Sequence, residues 1–463
     1  MTSAALQVED APPRDAGETA GVPVTALSPR VGSAVLGSAW ALADQATLSL
    51  GNFLTNLVLL RFLAPAAFGT YALLFGTLMF AGSLHAALVV YPLSIGTAAR
   101  GGRAPVSSGV TAGGALALTG LLWLPLSACL VAAAALLGRI DLAPWAVAAL
   151  LLWLVQETLR RALLADLRHR AALIGDAVSY LGQAAVVWGL ALRDALSIES
   201  ALAAVAATSA AGALVQAFQV GLRRLPRHLL APTGLAFWRD GRWLLLVQCL
   251  GLLTVYATPW TLMFFHGGRE VAQFQAVAVL LGVANPVTSG MIGLIVPAVA
   301  AASRHDDVTA ARAAALRYGA VGAALLLPYY LALLLFPTTL LSLFSGAESA
   351  YVGLATPVRL FVAAYALFYV AQISAALLNG LGQSRRAFVA HAAGAAATLL
   401  VALPLAAAGG LHGAVWGGLV PAAVHAAASV MLLRRLARPA RRDCPVPVET
   451  CVAARPQAAV QPA

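Results

Sequence analysis

The chain has 463 residues, of which 61% are hydrophobic and only 10% are charged. Soluble domains carry roughly 25% charged residues, so this composition excludes an ordinary soluble globular protein and predicts a polytopic membrane protein. The net charge is +11, and all 29 basic residues are arginine, but they lie in short segments between apolar runs, so no nucleic-acid partner is expected.

The N-terminal segment, residues 1–33, is rich in alanine, proline and acidic residues and contains no early apolar run. We interpret it as a disordered cytoplasmic tail and not as a signal peptide. Two of the four cysteines lie in apolar runs and two lie near the C-terminus. Their positions fit no metal-binding spacing, and no structural disulfide is expected.

Twelve apolar stretches follow this segment, and each is long enough to cross a hydrocarbon layer that needs about 20 residues of helix. The predicted spans are 37–60, 70–95, 110–137, 144–165, 172–192, 200–221, 243–265, 272–298, 313–336, 354–378, 389–408 and 411–433.

The arginines predict how these spans are oriented, because cytoplasmic loops carry the excess of positive charge. With the N-terminus placed in the cytoplasm, 24 of the 29 arginines fall on the inner side and five on the outer side, and the alternation holds at every loop. The expected fold class is therefore an all-α protein with about twelve transmembrane helices, in the cytoplasmic membrane, with both termini in the cytoplasm.

The basic loop 223–242 divides the spans into two sets of six. An offset of 203 residues aligns Trp40 with Trp243 and Gln45 with Gln248, and it places "FGTYA" (68–72) over "VAQFQ" (271–275). We therefore predict two six-helix bundles, residues 34–222 and 243–433, which are parallel repeats about an axis normal to the membrane. Residues 223–242 are predicted to be a cytoplasmic basic linker and residues 434–463 a basic cytoplasmic tail.

The sequence contains no nucleotide-binding, serine-hydrolase or zinc-protease motif and no acidic metal cluster. No catalytic residue, metal site or cofactor is therefore predicted, and no outer loop is long enough for a catalytic domain. The leading class is a transporter and not an enzyme.

The first span carries a polar stripe, because Gln45, Ser49, Asn52 and Asn56 recur at helical spacing and Asp44 borders them. Charged groups at membrane depth cost several kcal/mol and usually face a bundle interior or a wet cavity. The stripe either lines a central aqueous cavity, with Asp44 available for ion coupling, or supplies hydrogen bonds between helices.

Arg160 and Arg161 lie in "QETLRRALLADLRHR" (156–170), where Glu157 is within i+3 and i+4 reach of both. They either form local ion pairs or line a cytoplasmic vestibule that binds an anionic head group. Asp176 is a second intramembrane acid near this position. Arg359, near the outer end of the tenth span, either snorkels to the interface or contacts a phosphate.

The C-terminal half contributes three further candidate cavity-lining residues, Gln248, Asn285 and Gln372. Asn285 precedes Pro286, and a proline inside a helix removes a backbone hydrogen bond. We therefore expect a bend at this pair, with or without a role as a gating hinge.

Several of these stretches resemble a known family. "DQATLSLGNF" (44–53) followed by "LRFLAPAAFGTYALL" (60–74) resembles the start of bacterial polysaccharide-biosynthesis flippases. The segment 156–183 resembles the junction between their fourth and fifth helices, and "LLNGLGQSRRAF" (377–388) resembles the turn between their tenth and eleventh helices. These lipid-linked oligosaccharide translocases belong to the multidrug/oligosaccharidyl-lipid/polysaccharide exporter superfamily, and the resemblance covers roughly residues 34–435.

The resemblance implies two bundles that alternate access and move a polyprenyl-pyrophosphate-linked glycan to the outer leaflet. Its expected partners are that lipid-linked glycan, membrane lipids, and a glycan polymerase and glycosyltransferases of surface-glycan or exopolysaccharide assembly. Two other functions stay open, a cation-coupled multidrug exporter of the same fold and a membrane scaffold that does not transport.

Overall fold

The computed structural model describes residues 29–94, 108–223, 225–303 and 308–437, and these residues form helices without any β-strand. The helices are α1 (Pro29–Phe62), α2 (Pro65–Ser94), α3 (Ser108–Leu136), α4 (Ala143–Ala165), α5 (His169–Ala191), α6 (Ile198–Val220), α7 (Arg227–His266), α8 (Gly268–Gly282), α9 (Asn285–Ser303), α10 (Val308–Leu335), α11 (Pro337–Ser345), α12 (Ala355–Gly380), α13 (Ser384–Ala397) and α14 (Leu403–Ala437). Helix α2 contains a π turn at Ala86–Val90, α5 contains one at Ala177–Leu181, and a third at Thr398–Ala402 joins α13 to α14.

Nine stretches of the described residues are helical, long and apolar enough to cross a membrane. The last of them, Ser384–Arg435, covers two successive predicted spans, which are separated by a kink at Gly410 with φ 58° and ψ −139°. The two further predicted spans coincide with α1 and α7. The predicted all-α membrane fold with two six-helix bundles is therefore confirmed.

The structure adds detail at three of the predicted boundaries. Helix α1 begins at Pro29 and α14 ends at Ala437, so each runs a few residues into a predicted tail, while residues 1–28 and 438–463 lie outside the described residues. Most of the predicted linker is helical and forms the start of α7. Pro29 suits the start of α1, because the missing N–H of a proline has no partner in the first turn of a helix in any case.

The eighth predicted span is interrupted where the Asn285–Pro286 pair predicts a bend. Helix α8 ends at Gly282 and α9 begins at Asn285. The short helix α11 (Pro337–Ser345), which follows α10, is not predicted by the sequence, because its nine residues are too few for a span.

The two halves are built alike, since the fourth and sixth spans of each pack closely together: α4 against α6 and α12 against α14. In the first half this contact uses small buried side chains, including Ala146 and Ala149 on α4 and Ala201 and Ala204 on α6. Small residues allow helices to approach closely, which is a main source of packing energy inside a membrane.

The two halves meet where α2 packs against α8. A Cβ atom added to Gly69 would lie 2.1 Å from the carbonyl oxygen of Gly268 and 3.2 Å from the backbone nitrogen of Ala272. The repeat offset of 203 residues pairs Gly69 with Ala272, so equivalent positions of the two halves contact each other, as expected close to an axis that relates them. The N-terminal ends of α2 and α8, where this contact lies, are both on the predicted outer side of the membrane.

Replacing Gly69 by alanine should weaken this contact, because the new methyl group would collide with the backbone of α8. Overpacking of this kind costs roughly 1–3 kcal/mol. The thermal unfolding midpoint of the purified protein in detergent should fall. The control is Gly120→Ala in α3, where an added Cβ meets no atom within 4 Å, and equal midpoints for the two variants would contradict this description of the interface.

Candidate functional site

A buried cluster of charged side chains lies inside the first bundle and is centred on Arg160 of α4. Arg160 Nη2 donates to Asp44 Oδ2 at 2.7 Å, and Arg160 Nε donates to Asp176 Oδ2 at 2.6 Å. Its Nη1 lies 3.4 Å from Glu157 Oε2. The cluster therefore links three helices, α1, α4 and α5, through one guanidinium group.

Neutral polar groups complete this cluster. Gln216 of α6 donates its Nε2 to Asp176 Oδ1 at 3.0 Å, and Gln156 lies 3.5 Å from the same oxygen. Ser179 in turn donates to Gln156 Oε1 at 2.7 Å. Asp176 is fully buried and Arg160 is only 4% exposed, so these hydrogen bonds replace the water that the charges would otherwise need.

The cluster contains more acidic than basic side chains. It has three carboxyl groups, Asp44, Glu157 and Asp176, and two guanidinium groups, since Arg161 also donates to Glu157 Oε1 at 2.6 Å. Asp44 Oδ1 is buried and accepts no hydrogen bond from the described residues. The cluster therefore has one more carboxyl group than guanidinium groups and a free acceptor atom on Asp44.

The same region fixes the distance between α1 and α5. A Cβ atom added to Gly51 would lie 2.7 Å from backbone and side-chain atoms of Tyr180, so the two helices touch without an intervening side chain. Tyr180 in turn accepts a hydrogen bond on its hydroxyl from Trp153 Nε1 of α4 at 3.2 Å. Helix α1 is thus held against α4 and α5 by both packing and ion pairs.

The predicted cavity-lining residues of α1 fall on two faces. Asp44 is enclosed by protein at 2% exposure, whereas Gln45 is exposed and Ser49, Asn52 and Asn56 are half-buried. Among the described residues, these four side chains make one hydrogen bond, from Asn56 Nδ2 to the Asn52 carbonyl oxygen at 2.8 Å. In this conformation Asp44 therefore points to Arg160, whereas the side chains of the polar stripe do not. The cavity-lining role of these residues stays a prediction.

The candidates of the second half are not joined to those of the first by any hydrogen bond or ion pair within the described residues. Gln248 and Gln372 are half-buried, and Asn285 is exposed at the start of α9. Arg359 is exposed and donates its Nε to the Leu334 carbonyl oxygen at 3.0 Å. This arginine therefore caps the C-terminal end of α10, where a positive charge is favourable.

A basic pocket of about 500 Å³ lies beside the predicted inner end of α1. It is lined by Trp40 of α1 and by the turn that joins α4 to α5, which contributes Arg168, His169 and Arg170. Arg170 lies 5.8 Å from the centre of the Trp40 ring, and Arg168 donates to the Gln219 carbonyl oxygen at 2.8 Å. His169 Nδ1 is buried without a hydrogen-bond partner in the described residues.

The turn that carries these basic residues has an unusual backbone. The amide of Leu167 donates to Leu164 and the amide of Arg168 donates to Leu163, which is the pattern that ends a helix with a left-handed residue. Leu167 occupies that position with φ 59° and is 79% exposed. The corresponding turn between α12 and α13 uses Gly382 instead, with φ 72°. A leucine here costs about 1 kcal/mol or more, which the surrounding turn must offset.

Sequence reasoning found Asp44, Glu157, Arg160 and Asp176 but did not place them in one cluster. It missed Gln156, Ser179 and Gln216. The available signal was the presence of amide side chains in otherwise apolar helices, since such groups need partners in a membrane. The distances along the chain are long, however, with 116 residues between Asp44 and Arg160, so only the fold could bring them together.

No protein-family model and no curated protein matches the sequence, but solved structures share the fold. An inward-facing multidrug resistance MATE family transporter of the MOP superfamily is 17% identical, with a TM-score of 0.66 over 85% of this chain and 98% of that chain. An outward-facing transporter of the same description is 15% identical, with a TM-score of 0.57 over 87% and 94%.

A MOP superfamily transporter from Pyrococcus furiosus, described as having a binding pocket of reversed polarity, is 16% identical. Its TM-score is 0.57 over 88% of this chain and 96% of that chain. At these identities the likeness establishes the fold, which is that of MATE transporters with twelve spans in two bundles.

Removing the guanidinium of Arg160 should destabilise the protein strongly, because it would leave the buried carboxyl groups of Asp44 and Asp176 without their shared cation. Breaking a buried ion pair on one side costs about 3–5 kcal/mol. We expect Arg160→Met to lower the thermal unfolding midpoint far more than Arg161→Met, since the Arg161 side chain is 42% exposed and exposed pairs contribute about 1 kcal/mol or less.

A second comparison separates charge from packing in that experiment. Adding Asp44→Asn and Asp176→Asn to Arg160→Met removes the unpaired charges and should restore part of the lost stability. If the triple variant is no more stable than Arg160→Met alone, the cluster is not held by the ion pairs described here.

Proposed function

We propose that this chain is a membrane exporter that moves a polyprenyl-pyrophosphate-linked oligosaccharide from the inner to the outer leaflet by alternating access between its two halves. Such a substrate needs a protein, because sugar hydroxyls and phosphates cost several kcal/mol each when they enter hydrocarbon without hydrogen bonds. A passage between two bundles can shield the polar head while the lipid tail stays in the membrane. The sequence resemblance to polysaccharide flippases supports this substrate class.

The observation that carries the proposal is the basic pocket at the predicted inner end of α1. It offers two guanidinium groups and an imidazole beside an aromatic ring, and guanidinium groups match phosphate oxygens in both charge and geometry. The pocket lies at the predicted inner membrane boundary, which is the level of the inner-leaflet head groups. In our proposal Arg168 and Arg170 bind the pyrophosphate, because Arg160 is fully engaged by carboxylates and Arg161 is paired with Glu157.

The likeness to solved structures supports reception of substrate from the inner side, because the TM-score is higher for the inward-facing transporter, 0.66, than for the outward-facing one, 0.57. The two halves touch on the predicted outer side, between α2 and α8, and also near the predicted inner side, between α7 and α2.

A cation-coupled multidrug exporter is the second candidate function. Two observations favour it: the similar structures carry multidrug transporter titles, and the Arg160 cluster has one carboxylate in excess, which a proton or small cation could balance. The guanidinium of Arg160 argues for the first proposal, because it already binds Oδ2 of both Asp44 and Asp176 and leaves a coupling ion the Oδ1 atom of Asp44.

Deleting the gene should cause lipid-linked repeat units to accumulate on the cytoplasmic face and polymer output to fall. Restoring the gene with Arg168→Gln and Arg170→Gln together should leave the leaflet transfer rate about tenfold or more below that of the wild type, since charge-assisted hydrogen bonds contribute about 1.5–3 kcal/mol each. The measurement is the fraction of lipid-linked saccharide accessible from outside in intact cells.

The matched control for that experiment is Arg317→Gln, an exposed arginine at the predicted inner end of α10, outside the pocket. It should transfer the substrate at the wild-type rate. An unchanged outer-leaflet pool after deletion would contradict the proposed function. Equal effects of the pocket and control variants would contradict the role of the pocket.

Ion coupling is tested separately at Asp44. Under the first proposal, Asp44→Asn in cells should leave the response of transfer to external pH as it is in the wild type, although the rate itself falls as the cluster is disturbed. Under the second candidate, the variant should lose its pH response and its resistance to exported drugs.

A further inference from the structure

A second groove, apolar instead of basic, lies on the opposite side of the membrane, at the predicted outer end of α1. Its volume is about 430 Å³. Leu54, Leu57 and Val58 of α1 form one wall, and Leu181 and Ala184 of α5 form another. Helix α11 of the second half closes it with Leu343 and Phe344, and the Phe344 ring packs edge-on against Phe53 of α1 at 5.8 Å. The groove therefore lies between the two halves.

One cation is present in the lining of this groove. Arg61, in the last turn of α1, is exposed, and no carboxylate of the described residues pairs with it. Next to it, Trp188 of α5 is 46% exposed and packs edge-on against Phe62 at 5.8 Å. Tryptophan is enriched at the boundary between hydrocarbon and head groups, and an arginine near a helix end extends its charged group to that boundary.

The groove has a polar end and an apolar end. Arg61 and Trp188 mark the end at the membrane boundary, and Leu54 and Leu181 lie seven residues earlier on their helices. Seven residues of helix correspond to about 10 Å. The slot therefore runs from a single cation at head-group level about two helical turns into the hydrocarbon layer.

We propose that this groove binds a polyprenyl phosphate, with the first isoprene units in the slot and the phosphate on Arg61. The inference rests on the proposed function and deepens it, because a polyprenyl phosphate is the carrier lipid of that substrate without its glycan, and the groove gives this lipid a binding site at the outer leaflet. Charge complementarity selects the ligand: one guanidinium at the mouth matches one terminal phosphate, and an otherwise uncharged apolar slot matches one hydrocarbon chain.

The position of the groove gives this site a consequence for transport. Its walls belong to both halves, so a movement of the second half relative to α1 and α5 would change its width. The site lies at the opposite end of α1 from the basic pocket, and α5 lines both. The chain thus carries one phosphate-binding position at each predicted membrane boundary along the contact between α1 and α5.

The test uses undecaprenyl phosphate that carries a photoreactive group near the phosphate, placed at low fraction in phosphatidylcholine nanodiscs with the full chain. Peptide mapping should locate the adducts on residues 54–61, 181–188 and 343–344. Labelling should fall about tenfold in Arg61→Gln and recover in Arg61→Lys. Ala185→Phe, which fills the slot from its exposed side, should also abolish it, whereas Arg193→Gln, beyond the groove, should not change it.

Three results would overturn the proposal: adducts outside these segments, equal labelling by a photoreactive undecaprenol that has no phosphate, or displacement by phosphatidylglycerol as efficient as by unlabelled undecaprenyl phosphate. The last result would identify the occupant as an ordinary membrane phospholipid. The photolabelling result does not depend on whether the protein transports the lipid. Arg61-dependent labelling in a chain whose deletion leaves the leaflet distribution unaltered would support the site and contradict the proposed function.

Discussion

The first bundle depends on one guanidinium group at membrane depth. A charge in this environment cannot be hydrated, so it requires carboxylates and hydrogen-bond donors at close range. Arg160 meets that requirement by binding acids on α1, α4 and α5, and Gln216 of α6 donates a hydrogen bond to one of them, Asp176. The positions of four helices are thereby coupled, because a separation would break either an ion pair of Arg160 or a hydrogen bond to a buried carboxyl group.

This constraint makes the first bundle a rigid unit and leaves the motion of a transporter to the contact between the halves. Where α2 meets α8 this contact is made by backbone atoms around Gly69 and Gly268. The halves also meet where α7 packs along α2, and an added Cβ atom at Gly241 would lie 2.4 Å from the carbonyl oxygen of Ala87. The apolar slot between α1, α5 and α11 is a groove at the boundary of the halves. Two bundles that rock against each other are one arrangement by which alternating access proceeds.

The fold could be predicted well from the sequence because the signals that define a membrane span act within each segment. Length, hydropathy and the alternation of arginines act within each segment, so twelve spans and the interruption at Asn285–Pro286 could be read directly. The helix α11 was missed because nine residues carry no span signal. The kink at Gly410 falls where two predicted spans are separated by only a short polar segment.

The site was predicted less completely, for a physical reason. Helical spacing grouped the polar side chains of α1 into one stripe, but it could not show that Asp44 has different neighbours from that stripe. The choice between local ion pairs and a vestibule for Arg160 depended on Asp44 and Asp176, which are remote in sequence. Arg168 and Arg170 form a pocket only because the α4–α5 turn folds against Trp40 of α1.

The account depends on the halves separating at the outer side to release substrate, and a reversible crosslink tests this most directly. A Cβ atom added at Gly268 would lie 3.6 Å from the Ala66 Cα atom, so cysteines introduced by Ala66→Cys and Gly268→Cys can be joined by a short reducible bis-thiosulfonate linker in a chain whose native cysteines are replaced by serine. Crosslinking should stop the appearance of lipid-linked saccharide in the outer leaflet, and reduction should restore it. Undiminished transfer by the fully crosslinked protein would contradict the account.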